Sequence, residues 1–245
     1  MKKRKKCNKY KSAIIFLLVV IMFLVLILVK TFQSFGEKSL LLEEYPKELI
    51  DLMERNPETR EFVLNYPIRK DCKVEVNIDV YKDCSEVPLL MQWDEQWGYS
   101  KYGDSIMGLN GCGPTCLSMV SVYLLNDTTY HPRYIADFSE ENGYCVPGNG
   151  SAWTLISEGG KELGLNVEEL SLDEQKIVYN LEKGNPIICI MGPGDFTTTG
   201  HFIVLTDYED GQLKINDPNS RANSNKLWNF EEIQYQIRNL WVCSK

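Results

Sequence analysis

The stretch that decides this chain is LNGCGPTCLSMV, Leu109 to Val120. Cys112 stands between two glycines, and Pro114 follows two residues later. Proline suits the first turn of a helix, where its missing N–H costs nothing. The next residues, CLSMVSVYLLN, are apolar nearly throughout. A helix without a polar face is a buried one. The reading is a central helix that opens at Cys112. At that position the helix dipole and the free N–H groups favour negative charge, which lowers a thiol's pKa. The flanking glycines let backbone and substrate approach closely. Cys116, one turn further in, has less of this and reads as a packed core thiol. Cys112 is therefore the candidate nucleophile.

A thiolate nucleophile needs a general base, and the chain has two histidines. His131, followed by Pro132, sits at the entrance of an expected helix and reads as a surface or capping residue. His201 opens the apolar strand HFIVLTDYE after Gly200, at the edge of a sheet facing a cleft. It is the candidate base. A base needs an orienting group. In QLKIND, period-two alternation puts Leu213, Ile215 and Asp217 on one face. Asp217 then points inward, returns across an antiparallel hairpin towards His201, and needs a partner there. Asp217-Pro218-Asn219 also reads as a turn. An oxyanion would take the Cys112 N–H and a side-chain amide, with Gln92 and Asn110 as candidates.

Around these residues the expected elements follow an α+β order, helices first and an antiparallel sheet after. Helices are expected from Pro132 to near Asn142-Gly143, from about Trp153 to Leu163, and from about Asp173 to Lys183. Strands are expected over 186–191, 201–209, 212–217 and 239–243, with a hairpin turn at EDG, 209–211. Upstream, Glu43 to Pro67 reads as two short helices broken at Asn56-Pro57. Residues 68–86 read as a linker with a strand at VEVNIDV, 74–80.

The N-terminus has a different character. Residues 1–11 carry seven of the 26 Lys and Arg and no acid. The rest has 19 basic residues against 34 acidic, a net of −15. So acidic a body argues against a nucleic-acid partner. Ala13 to Val29 holds no polar side chain. As a helix those seventeen residues reach roughly 26 Å. With the edge residues of 12–32 the segment reads as an uncleaved transmembrane helix, basic cytoplasmic tail first and the remainder outside. No small-x-small cleavage site follows Val29. The expected division is a tail, 1–11; a span, 12–32; a helical spacer and linker, 33–86; and a catalytic domain, 87–245. Seven of the eight cysteines would then face an oxidising space, and Cys72 and Cys84, flanking a short hairpin-like segment, could pair. Cys145 and Cys243 have no assigned partner.

Taken together, PLLMQWDEQW, GCGPTCLSMV, GHFIVLTDY and INDP resemble the bacteriocin-processing (double-glycine) peptidase-like family of cysteine peptidases. The resemblance covers about Val87 to Cys243 and implies a papain-like fold. It implies Gln92 as oxyanion donor, Cys112 as nucleophile, His201 as base and Asp217 as orienter, acting on a peptide or protein substrate. Its transporter-linked members have the glutamine only a few residues before the cysteine, whereas twenty positions separate Gln92 from Cys112 here. The chain also lacks the transporter and nucleotide-binding domains of those members.

Two other readings fit the same residues: a non-catalytic surface module that holds peptides in a papain-like cleft, and a cell-wall amidase or transpeptidase. A disulfide-stapled adhesion domain with Cys112 oxidised is a further one. Trp93, Trp97 and Trp153 are candidates for a groove or for the core. Residues 217–225, DPNSRANSN, carry oxygen ligands but lack the glycine and glutamate of a calcium loop. No cluster has zinc-ligand spacing and no glycine loop cradles a phosphate, so no metal or cofactor is expected.

Overall fold

The computed structural model describes residues 16–30 and 45–245. The expected basic tail, both ends of the expected span and the first part of the spacer lie outside the described residues. Residues 16–30 are helical, and the large apolar side chains from Phe16 to Val29 are all exposed. No helix of the described residues is long and apolar enough to cross a membrane. The chain divides into two compact units, Met1–Ile50 and Asp51–Lys245. The second unit takes in residues 51–86, the larger part of the expected spacer.

The body is helix against sheet. Among the described residues a five-stranded antiparallel sheet has the order Asn166–Glu169, Ile237–Ser244, Ile187–Met191, His201–Glu209, Gln212–Asn216. Strands Ile187–Met191 and His201–Glu209 are central and covered on both faces, which is why they read as continuous apolar runs. Their side chains alternate between two cores. Ile188, Ile190, Phe202 and Val204 meet Leu117, Met119 and Val120 of the helix Cys112–Leu125. Ile187, Cys189, Ile203 and Leu205 meet Ile177 and Leu181 of the helix Glu174–Leu181 on the other side.

The central helix begins at Cys112, and every residue from Gly113 to Val122 is buried. It ends at Asn126 in the left-handed conformation (φ 55°), an ordinary helix stop. The helices at Pro132–Glu141 and Glu174–Leu181 lie within the expected segments. His131 caps the first of these, its Nδ1 accepting the Tyr134 N–H at 3.0 Å. Between Leu155 and Gly159 the expected helix winds as a wider π-type turn before Gly160–Glu162. Gly160 lies so close to Val167 that a Cβ there would sit 2.9 Å from its methyl.

Three expectations need correction. VEVNIDV is not a strand: its backbone pairs with side chains, Asn77 N–H with Gln96 Oε1 (3.0 Å) and Val74 C=O with Arg133 (2.8 Å), leading into a tight turn at Asp79–Tyr81. Cys72 and Cys84 are both free thiols, because the segment between them is no hairpin; Cys72 Sγ faces Ile68 C=O on the helix Arg60–Arg69. The edge strand Asn166–Glu169 was not expected. Only Val167 in it is buried, so it carries too little apolar alternation to be recognised.

Candidate active site

Cys112 lies where the N-terminus of the central helix meets the open end of the sheet. Gly113, the next residue, lets the separate hairpin Cys145–Val146/Gly150–Ser151 close on the helix start: a Cβ there would stand 2.5 Å from Ser151 Oγ. That serine is fixed by Tyr102, whose hydroxyl bridges Ser151 Oγ (2.6 Å) and Ser139 Oγ (2.8 Å).

His201 is the first residue of its strand and pairs across to Met191. Val204 pairs with Asn216, so Asp217 lies one position beyond the ladder, diagonal to His201 on the same face. The two side chains meet there: His201 Nε2–H donates to Asp217 Oδ1 at 2.8 Å. Both are buried, at 7% and 1% exposure. With Nε2 engaged, Nδ1 is left for the Cys112 sulfur, which lies beside the imidazole and the N–H groups of Gly113 and Phe202.

Charge follows this geometry. Burial pushes the Cys112 thiol up, but the imidazole and the two N–H groups outweigh it and bring it below the ordinary thiol value. Burial likewise works against a charged His201, and the Asp217 carboxylate with its hydrogen bond outweighs that, raising its pKa to about 10. Asp217 is held below the usual carboxylate range despite burial, by His201, then Asn223 and the Asn219 N–H. Cys116, one turn in, is pushed well up by burial and by the neighbouring sulfur. The arrangement favours a thiolate facing an imidazolium at a helix N-terminus.

Gln92 lines the cleft beside Cys112 despite its distance in sequence. The residues between loop out and return, so that Gln92 Nε2 donates to the C=O of Gly108 (3.0 Å) and Leu109 (3.3 Å), just before Cys112. Its Oε1 is buried without a hydrogen-bond partner. Asn110 lines the cleft on the opposite side of Cys112.

Two depressions meet at Cys112 and His201, of about 540 Å³ and 580 Å³. The first is walled by Leu52, Arg55 and Asn56 and by the loop 194–200. The second is walled by the hairpin residues 148–151, Trp153 and Arg238. Together they make a groove that passes the sulfur, with Cys112 and His201 in the wall of both parts. Of the three tryptophans, Trp97 is core, and its Nε1 donates to Met91 C=O. Trp93 is buried and donates to Asn219 C=O at 3.0 Å. Trp153, 47% exposed, lines the groove.

Sequence reasoning missed Asn223, whose Nδ2 donates to Asp217 Oδ2 at 2.8 Å, and Asn219, whose N–H donates to Oδ1 at 2.8 Å. The signal was the polar run 217–225, which wraps the carboxylate with amides. Among the described residues no group of His, Cys, Asp or Glu is placed to hold a metal ion.

The fold and this site are those of a cysteine-peptidase-like domain. The chain belongs to the Peptidase_C39 like family, whose model matches residues 84–242. Two solved structures are similar. One is the peptidase domain of Streptococcus ComA, a bi-functional ABC transporter involved in quorum sensing (23% identity, TM-score 0.43, 55% of this chain and 91% of that one). The other is a C39-like peptidase from Bacillus anthracis (16% identity, TM-score 0.46, 66% of this chain and 96% of that one). No curated protein matches.

Proposed function

We propose that the protein is a membrane-anchored, extracytoplasmic cysteine peptidase with Cys112 as nucleophile, His201 as base and Asp217 as orienter. The observation that carries this reading is the continuous contact from Asp217 through His201 to a sulfur at a helix N-terminus. The Cys112 sulfur attacks the substrate carbonyl as a thiolate, its proton already on His201. The tetrahedral oxyanion takes the Cys112 N–H and a hydrogen of Gln92 Nε2, whose longer bond, to Leu109, is the easier to give up. His201 then protonates the leaving amine. Water, deprotonated by His201, hydrolyses the thioester, and the sulfur leaves as a thiolate beside the imidazolium, the pair from which the cycle began. No metal or cofactor enters this chemistry.

The test is iodoacetamide labelling of the full chain in detergent across pH, with peptide mapping. Rapid labelling of Cys112 at pH 6, slowed in His201→Ala, supports the reading. A Cys112 that labels no faster than an ordinary thiol refutes it and favours a non-catalytic peptide-holding module.

Anchoring rests on the apolar run 13–29 behind a basic tail. In intact cells an impermeant maleimide should label Cys72, exposed on the body, and spare Cys7 in the tail. The reverse pattern would overturn the proposed orientation.

A further inference from the structure

Asp217 is held by the loop that follows it, which ends in the short helix Arg221–Ser224, and that loop is itself held from outside the family-matched region. Asn219 N–H and Asn223 Nδ2 donate to the two carboxylate oxygens, and Asp217 N–H donates to Ser224 Oγ. Three of the bonds that fix residues 219–222 come from one side chain upstream. Glu58 Oε2 accepts the Arg221 N–H at 3.1 Å, and its Oε1 accepts the Ala222 N–H at 3.1 Å and the Ser220 hydroxyl at 3.3 Å. Glu58 is rigidly presented. Asn56 Oδ1 accepts the Glu58 N–H, and Asn56 Nδ2 donates to Asn219 C=O. The helix that follows, Arg60–Arg69, is seated by Phe62, which stacks on Tyr99 with ring centroids 4.4 Å apart.

We propose that Glu58 is a positioning residue of the active site, holding residues 219–224 in the form that fixes the Asp217 carboxylate against His201. The inference rests on the peptidase reading above. Glu58 lies before residue 84, where the family match begins, so this short N-terminal segment completes a site whose reacting groups lie more than fifty residues away in sequence. A half-buried carboxylate that accepts two adjacent backbone N–H groups and a hydroxyl is a strong, directional clamp. Without it the loop gains freedom, Asn223 leaves Asp217 Oδ2, and the imidazole loses a fixed partner.

The experiment measures Cys112 alkylation against pH, and the thermal midpoint, for the full chain in detergent as wild type, Glu58→Ala, Asn223→Ala and the double variant. Glu58→Ala should slow labelling at pH 6.5 by about fivefold, the equivalent of one hydrogen bond, and move the midpoint towards that of an ordinary thiol. Asn223→Ala should do the same, and the double variant should be little worse than either, because both act through one contact. Glu58→Gln keeps the volume and one acceptor and should fall between; it covers the case in which the alanine variant unfolds. A lowered thermal midpoint with an unchanged pH profile would make Glu58 merely structural and overturn the inference. So would strictly additive effects. An ordinary thiol profile in the wild type refutes the peptidase reading and this inference with it.

Discussion

Replacing Asp217 by asparagine removes one buried charge and leaves the shape of the site almost unaltered. The native carboxylate faces His201 Nε2 at 2.8 Å and is 1% exposed, so little water screens it. It is the main reason that His201 holds its proton to about pH 10 rather than 6.5. Burial opposes that charge, and in Asp217→Asn it has no carboxylate to overcome. The imidazole then holds its proton less tightly, with only the Cys112 sulfur left to favour its charge, and the thiolate's counter-ion is weakened. The asparagine Oδ1 still accepts from His201 and from Asn219, but its Nδ2 would face Asn223 Nδ2, donor against donor, and one amide must turn. Each tenfold change in proton affinity is worth about 1.4 kcal/mol, and the loss of a buried ionic partner commonly exceeds that. Cys112 labelling by iodoacetamide at pH 6.5 should therefore slow by about tenfold or more, while it approaches the wild-type rate above the ordinary thiol pKa. Peptide mapping assigns the rate to Cys112. A folded Asp217→Asn variant with the wild-type profile would refute the reasoning, since the charge would then have no hold on the sulfur.

The stability of the site has its own pH dependence. His201 has a raised pKa, so its contribution is complete below about pH 6.5 and is lost as pH rises to about 10. Urea midpoints in a Cys112→Ser background, which removes the thiol's opposite slope, should fall from pH 6.5 upward and level off below pH 10, because the Cys112 sulfur is one of the groups that raise the His201 pKa, and adding Asp217→Asn should flatten the fall. Gly113→Ala brings a Cβ to 2.5 Å from Ser151 Oγ, so the hairpin must shift; a loss of about 1–3 kcal/mol in chemical denaturation is expected. Phe62→Ala empties the ring that stacks on Tyr99 and fills the space over Gly98 and Gly108, and should cost about 3–5 kcal/mol by the same assay. With a maleimide on the folded protein, Cys72 should react and Cys116, Cys189 and Cys243 should stay protected until denaturation.

The central helix was legible because its polarity left no choice. A segment apolar on every side must be buried, and a proline two residues after Cys112 marks where it starts. The paired strands were legible for the same reason: 187–191 and 201–205 are buried on both faces, and the turn at Asp210-Gly211 fixes the hairpin. Period-two alternation was enough to put Asp217 on the face of His201, because a register is a local property of neighbouring strands.

What the sequence by itself determined is therefore the helix that presents Cys112, the strand that begins at His201, the strand that ends just before Asp217, and the family to which those motifs are similar. Tertiary structure alone decided the rest. Residues 93–107 fold back so that Gln92 meets the carbonyls before Cys112, and no local pattern encodes a return over that distance. Residues 74–80 alternate like a strand but find side chains rather than a neighbouring strand, and Cys72 and Cys84 stay apart. Glu58 and Asn223 read as ordinary polar surface residues until the fold sets one against the loop and the other against Asp217. The physical reason is common to all of these: a hydrogen bond depends on where two groups end up in space, and spacing along the chain reports this only within a helix, a hairpin or a turn.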